Sequence, residues 1–394
     1  MLCRKALAIV LLVLSGCLLW YSVCTYKISG QNPARLGDFS ARFFPEAQIL
    51  NGHARYLALD PAGAAEFYRK AILEGPSFID AWIGLARAQI VNGQNEQARK
   101  TLDIIAPTLT SISTWKLDEL LFAYCLHEEQ YFDRCYNYIL SYLPHRVPEA
   151  SLTASQFWGG WQEVVLHVFY WNRPVLLSVL MDRREVDAAV ALFKIMEKEG
   201  SHLEENDQLR FCDFLISNDR IKEAKAVWRL WRKKDTSLID DGRFETAPLN
   251  RAFGWRFRND PDVLVERATG SPCSGDSCLH IHFKGSGNVN CDLAYQIVPV
   301  KPETPYCLCF ARKSSSLSTD RGVFLMVNGY RDEKFNIASQ PVLGDSPWKE
   351  DKIEFSAPAG CEAIVLRVRR NESLMMDNKI SGDYWLGSVE VQEK

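Results

Sequence analysis

Residues 64–110 read AAEFYRKAILEGPSFIDAWIGLARAQIVNGQNEQARKTLDIIAPTLT, and this stretch decides how the first half of the chain folds. Ala64, Tyr68, Ala71 and Pro76 return 34 residues later as Ala98, Leu102, Ile105 and Thr110. Between the two sets stand Trp82, Leu85, Ala86 and Gly93. Apolar residues recur at three- and four-residue spacing, the period of one helix face. Small residues let two helices approach closely, and large residues at the intervening turns fill the groove between them. A fixed period of this length marks a repeat built from helix pairs.

The pattern resembles the tetratricopeptide repeat, a helix-turn-helix unit. Trp82, Leu85, Ala86, Ala98 and Leu102 match one copy, and Ala64, Tyr68, Ala71 and Pro76 match the back half of the copy before it. Ala188, Leu192 and Ile195, followed by Ala224, Trp228 and Trp231, form a second patch with a spacing of 36. Residues 115–143 read as another helical pair, and Trp158-Gly159-Gly160-Trp161 and Pro174 interrupt the array. Residues 44–236 are therefore expected to form a TPR-like helical domain, with Trp82, Trp228 and Trp231 in its core. The resemblance implies that this domain holds a protein partner.

The residues before the array differ in kind. Arg4 and Lys5 precede an uncharged run of 21 residues from Ala6 to Tyr26, and about 20 apolar residues span a bilayer core. Residues 1–26 are read as a signal anchor, a single transmembrane helix that leaves the body of the chain in the periplasm. The alternative is a lipoprotein, because Leu14-Ser15-Gly16-Cys17 resembles the bacterial lipobox whose cysteine is lipidated. The anchor is favoured because the apolar run continues past Cys17; a cleaved signal is the third reading. Residues 27–43 are read as a polar linker.

Beyond Asp240-Asp241-Gly242 the helical period stops, and short alternating runs follow. Leu279, Ile281 and Phe283 alternate with Cys278, His280 and His282; Ile364, Leu366 and Val368 alternate with Arg367 and Arg369 on the other face. The remaining strand signals are 262–267, 293–298, 306–312, 322–328, 352–356 and 384–391. Eight short strands in this length predict a sandwich or jelly roll over residues 240–394. The whole chain is thus multidomain: a transmembrane anchor, an all-α TPR-like solenoid, and an all-β jelly-roll sandwich.

The signposts run in order: Gly242-Arg243-Phe244-Glu245, Gly254-Trp255, Tyr295-Gln296, Pro305-Tyr306, Pro358-Ala359-Gly360 and Trp385-Leu386-Gly387-Ser388. This order resembles the carbohydrate-binding jelly rolls of glycanases, which share the galactose-binding-like fold. The resemblance implies core positions for Trp255 and Trp385 and a possible polysaccharide ligand. Where members with structural calcium carry an acidic residue in the closing strand, this chain has Gly387 and Ser388, so calcium is not expected.

No GxSxG, HExxH, P-loop or GxGxxG pattern occurs, and Glu128-Glu129 and Glu204-Glu205 read as solvated charge. The chain is read as a non-enzyme without cofactor or metal. His280 and His282 share a strand face but lack an evident third ligand, so they are read as solvent- or sugar-facing. A formal net charge of −3 gives no basic footprint, which argues against nucleic acid. Of 12 cysteines, six crowd the C-terminal third. Cys273 and Cys278 flank a turn and are the expected disulfide, while Cys307 and Cys309 are expected to be bonded or buried. Candidate carbohydrate contacts are Arg367 and Arg369, facing outward from their strand, with Tyr330 and Trp348 in turn-rich stretches. The leading functional reading is an envelope scaffold: the repeats bind an envelope protein and the sandwich contacts a glycan, in support of polysaccharide assembly or export. Its rival is a purely protein–protein adaptor with a structural sandwich.

Overall fold

The computed structural model describes residues 2–29, 44–109, 113–201, 203–232, 237–376 and 378–394. The chain divides into two compact units, Met1–Met196 and Glu197–Lys394.

The first unit is helical. Helix α1 (Leu2–Ser29) contains the uncharged run; residues 30–43 of the expected linker lie outside the described residues. Side chains of α1 are described only from residue 13 to residue 26, too short a stretch to span a bilayer. Among the described residues no helix is long and apolar enough to cross a membrane.

Helices α2 (Pro45–Leu57), α3 (Pro61–Glu74), α4 (Ile79–Val91) and α5 (Asn95–Leu109) follow as neighbours. Helix α3 starts at Pro61, whose missing N–H costs nothing at that position, and the Asp60 carboxylate accepts from the Gly63 N–H at 2.9 Å. Tyr68 is buried against Gly52 and Gly84: a Cβ added at either would stand 2.6 or 2.4 Å from its ring. That contact requires residues without a side chain at positions 52 and 84. Ala64, Ala71 and Ala98 are fully buried. Trp82 is only half-buried, and its indole N–H donates to the Pro76 carbonyl at 2.9 Å. The helices continue through α6 (Lys116–Leu126), α7 (Glu129–Tyr142), α8 (Val147–Phe157), α9 (Trp161–His167), α10 (Arg173–Arg183) and α11 (Val186–Lys198). Gly159 and Gly160 break the chain between α8 and α9 with φ of 82° and 150°, conformations that favour glycine.

The second unit opens with a helix pair, α12 (Glu205–Ser217) and α13 (Ile221–Trp231), and continues into the sandwich. Trp228 and Trp231 are half-buried, packing on each other and on Arg232. Ten strands are described: β1 (Arg256–Phe257), β2 (Val263–Thr269), β3 (Ser277–Lys284), β4 (Cys291–Pro299), β5 (Pro305–Leu317), β6 (Phe324–Gly329), β7 (Asp332–Ala338), β8 (Gly344–Ser356), β9 (Ala363–Arg370) and β10 (Ser381–Glu393). They form two five-stranded antiparallel sheets, β1-β4-β9-β6-β7 and β2-β3-β10-β5-β8. The inward residues meet in one core that includes Trp255, Leu279, Ile281, Phe283, Leu366 and Tyr384.

Trp385 is buried, as expected, but outside the sandwich core. Its neighbours Tyr384 and Leu386 point into the core, so strand alternation turns Trp385 to the outer face. There it stacks on His280 at 5.2 Å beneath the Lys313 ammonium. Cys273 and Cys278 are joined as a disulfide. Cys307 and Cys309 are neither bonded nor fully buried; their sulfurs lie 3.6 Å apart on one face of β5.

Candidate functional site

The outer face of the β1-β4-β9-β6-β7 sheet carries a cleft of about 870 Å³. Strand register lays out its floor. Arg256 pairs with Tyr295, Tyr295 with Arg367, and Arg367 with Met326, so these four form one row across β1, β4, β9 and β6. The next row holds Ile297, Val365, Asn328 and Asn336. On the other side, Asp292 pairs with Arg369 and Arg369 with Phe324. A bulge between Asp292 and Ala294 sets the Asp292 carboxylate between the two outward arginines of β9.

Helix α12 supplies a wall. Asp213 receives the Ala252 N–H at 2.6 Å and the Arg251 and Arg256 guanidiniums at 3.4 and 3.3 Å. The Tyr330 hydroxyl donates to the Ile216 carbonyl at 3.2 Å. Arg331 donates to the Ser217 carbonyl and to Asp219, both at 2.6 Å. Ile297 and Val365 point away from the sandwich core, yet both are buried, and Ile216 of α12 lines the cleft with them.

Of the four expected contacts, Arg367, Arg369 and Tyr330 line this cleft. Trp348 does not. It lies in strand β8, in the opposite sheet, with its indole N–H donating to the Pro272 carbonyl at 2.8 Å and its ring against Gly387. Arg367 and Arg369 both bind Asp292, Arg369 at 2.9 Å, so the outward arginines share one carboxylate. Sequence reasoning passed over Asp292, Tyr295, Arg256, Asn328 and Asn336. The outward phase of Tyr295 in its strand was readable; the positions of Asp292 and Asp213 depend on a bulge and on a distant helix. Arg256 stacks over the Tyr295 ring at 5.5 Å, which fixes the ring on the floor.

On the other sheet, His280 and His282 converge on Asp383 at 2.7 and 2.9 Å, and His280 also meets Glu266 at 3.2 Å. Burial pushes the Asp383 carboxyl up, but the two histidines outweigh it and hold it below its ordinary value. No group of three or more side chains able to hold a metal occurs among the described residues. The Cys17 thiol of the alternative lipidation reading is exposed.

Residues 57–110 match the family model of the tetratricopeptide repeat. No curated protein matches the chain in sequence. Among solved structures the chain is similar to a CBM4 carbohydrate-binding module, at 13% identity and a TM-score of 0.31, with 40% of this chain and 99% of that one covered. It is similar to TmCBM61 in complex with β-1,4-galactotriose, at 14% identity and 0.29, covering 41% and 100%. It is also similar to the enzymatically active domain of bacteriophage CBA120 tailspike protein 4, at 13% and 0.29, covering 40% and 21%. The chain thus joins a helical array with a tetratricopeptide-repeat segment to a two-sheet β-sandwich.

Proposed function

We propose that this chain is a non-catalytic, membrane-tethered binding protein of a bacterial envelope, whose sandwich cleft holds a glycan and whose helical repeats hold a protein partner. The observation that carries the glycan reading is the cleft. It combines an aromatic floor at Tyr295, the amides of Asn328 and Asn336, and outward arginines oriented by Asp292. Pockets of this size class enclose small ligands, and the apolar face of a pyranose packs on an aromatic ring while amides and guanidiniums meet its hydroxyls. The tether reading rests on the 21-residue uncharged run and on the exposure of Leu18 and Leu19 on α1, 67% and 71%. An apolar helix with bare leucines is stabilised by lipid. The body then lies in the periplasm, where the protein serves polysaccharide assembly or export. Retardation of the full chain in native gels cast with neutral or acidic bacterial polysaccharides tests the glycan reading; unchanged mobility in every polysaccharide removes it.

Two alternatives keep a specific footing. The cover of α12 over Ile297 and Val365 favours a pure protein adaptor, in which the sheet face serves only to seat the helix pair. The exposed Cys17 favours a lipid anchor, which labelling with a palmitate analogue distinguishes from a spanning helix.

A further inference from the structure

The four arginines around the cleft differ in what they have left to give. Arg369 uses every nitrogen: Nη1 on Asp292 at 2.9 Å, Nε on Asn371 at 3.0 Å and Nη2 on Asn290 at 3.0 Å. Arg331 uses both terminal nitrogens, one on the Ser217 carbonyl at the end of α12 and one on Asp219 just beyond it. Arg256 is divided between Asp213 and the Tyr295 ring, and its Nη1 is buried. Arg367 is held by Nη1 alone, on Asp292, and its Nε and Nη2 have no partner among the described residues. Those two N–H groups form the parallel edge by which a guanidinium grips a carboxylate with two bonds.

The charges around that edge favour an anion. Arg367 and Arg369 against Asp292 leave one positive charge in excess. Tyr295 pairs with Arg367 across β4 and β9, so a ring lying on the tyrosine has its substituent beside the free edge. The Asn328 amide stands one row further on, its Oδ1 buried without a partner. Helix α12, stapled through Asp213, Ile216 and Ser217, closes the same face and bounds the length of any ligand.

We propose that the cleft takes a short acidic oligosaccharide, with a uronate ring over Tyr295 and its carboxylate on the Nε–Nη2 edge of Arg367. Arg369 and Asp292 are positioning residues that hold Arg367, and the α12 wall admits a few sugar rings rather than a length of polymer. This assignment rests on the glycan reading and narrows it.

The test is calorimetric titration of the full chain in detergent with trigalacturonate, hexagalacturonate and neutral galactotriose. Trigalacturonate binds, weakens as salt rises, and is matched but not exceeded by hexagalacturonate. Galactotriose binds at least tenfold more weakly. Arg367→Gln lowers trigalacturonate affinity about tenfold or more, as expected for loss of charge-assisted hydrogen bonds. Arg367→Lys, which keeps the charge and loses the edge, falls between. Lys379→Gln, which removes a charge on an exposed loop, leaves affinity unchanged. Thermal midpoints of the variants without ligand separate lost binding from lost folding. Equal binding of the acidic and neutral trisaccharides, or wild-type affinity in folded Arg367→Gln, overturns the assignment while the glycan reading stands. A tenfold gain from trimer to hexamer overturns the wall. Binding of none of these sugars, together with unretarded mobility in every polysaccharide gel, removes both.

Discussion

Arg370 offers the sharpest test of how the sandwich is held together. It ends β9, points inward in phase with Ile364, Leu366 and Val368, and is fully buried. Among the described residues no carboxylate hydrogen-bonds to it. Instead Nε donates to the Arg321 carbonyl at 3.1 Å, Nη1 to Asn288 at 3.0 Å and to the Val289 carbonyl, and Nη2 to Thr319 at 3.5 Å and the Asn378 carbonyl at 3.3 Å. One guanidinium thus ties together three segments that precede β4, β6 and β10. Burial lowers its tendency to hold a proton, and the nearby Asp320 carboxylate works the other way. Arg370→Met keeps the length and removes every donor. The Val289 carbonyl, the one acceptor in a fully buried bond, loses its partner at a cost of about 1–3 kcal/mol. The four part-buried acceptors can turn to water and lose about 0.5–1 kcal/mol each. Burying the methionine returns about 1.5–3 kcal/mol. Taken at their mid-values these terms leave a net loss of about 3 kcal/mol, or roughly 6–12 °C in the midpoint of a unit this size. Scanning calorimetry of the full chain reads it, and Arg370→Lys, with three donors, should lie between. A methionine variant that melts at or above the wild-type temperature would refute the account of the guanidinium as a tie.

Gly84→Val drives side-chain atoms into the buried Tyr68 ring, where even a Cβ would stand at 2.4 Å, and should cost about 1–3 kcal/mol of helical-unit stability by circular dichroism. Burial raises the Cys135 and Cys212 thiols, so at pH 8 iodoacetamide should leave both unmodified in native protein and label them after unfolding, as read by mass spectrometry. The depressed Asp383 carboxyl contributes stability that is complete above the unfolded carboxylate range and is lost as pH falls through its lowered value. Asp383→Asn should therefore flatten the acid limb of a midpoint-against-pH curve; an unaltered limb would show that the two histidines do not draw on this charge.

Much of the fold was legible because burial imposes a period. The 34-residue recurrence in residues 64–110 reflects burial, with Ala64, Tyr68, Ala71, Ala98 and Ile105 all inside the helical packing. The alternation in 363–369 separated Ile364, Leu366 and Val368 from Arg367 and Arg369 as the structure does. All eight expected strand segments are strands. The two passed over, β1 and β7, are a two-residue strand and an edge strand that turns only Phe335 and Ile337 toward the core. Tyr384-Trp385-Leu386 is apolar throughout, so hydrophobicity alone cannot say that the buried Trp385 packs on the outer side of its sheet rather than in the sandwich core.

The cleft was harder to read, because its character comes from partners far along the chain. Arg367 and Arg369 look equivalent in sequence: same strand, same face, two residues apart. What separates them is Asn290 and Asn371, which take up Arg369 and leave Arg367 half free. Strand alternation carries no information about either asparagine. The wall is hidden for the same reason. The apolar period of α12 buries Leu209, Phe211, Cys212 and Leu215 as a repeat helix would. Yet Asp213, off that stripe, binds Ala252, Arg251 and Arg256, some forty residues later, and so seats the helix on a sheet face. A helix pair resembling the end of a protein-binding array thereby becomes one side of a polar cleft. If the α12 wall sets ligand length, a substitution that loosens it should widen the range of oligosaccharides bound without touching the floor. Asp219→Ala, which frees Arg331 from its anchor just beyond the end of α12 and leaves the one on the Ser217 carbonyl, is the mildest such change.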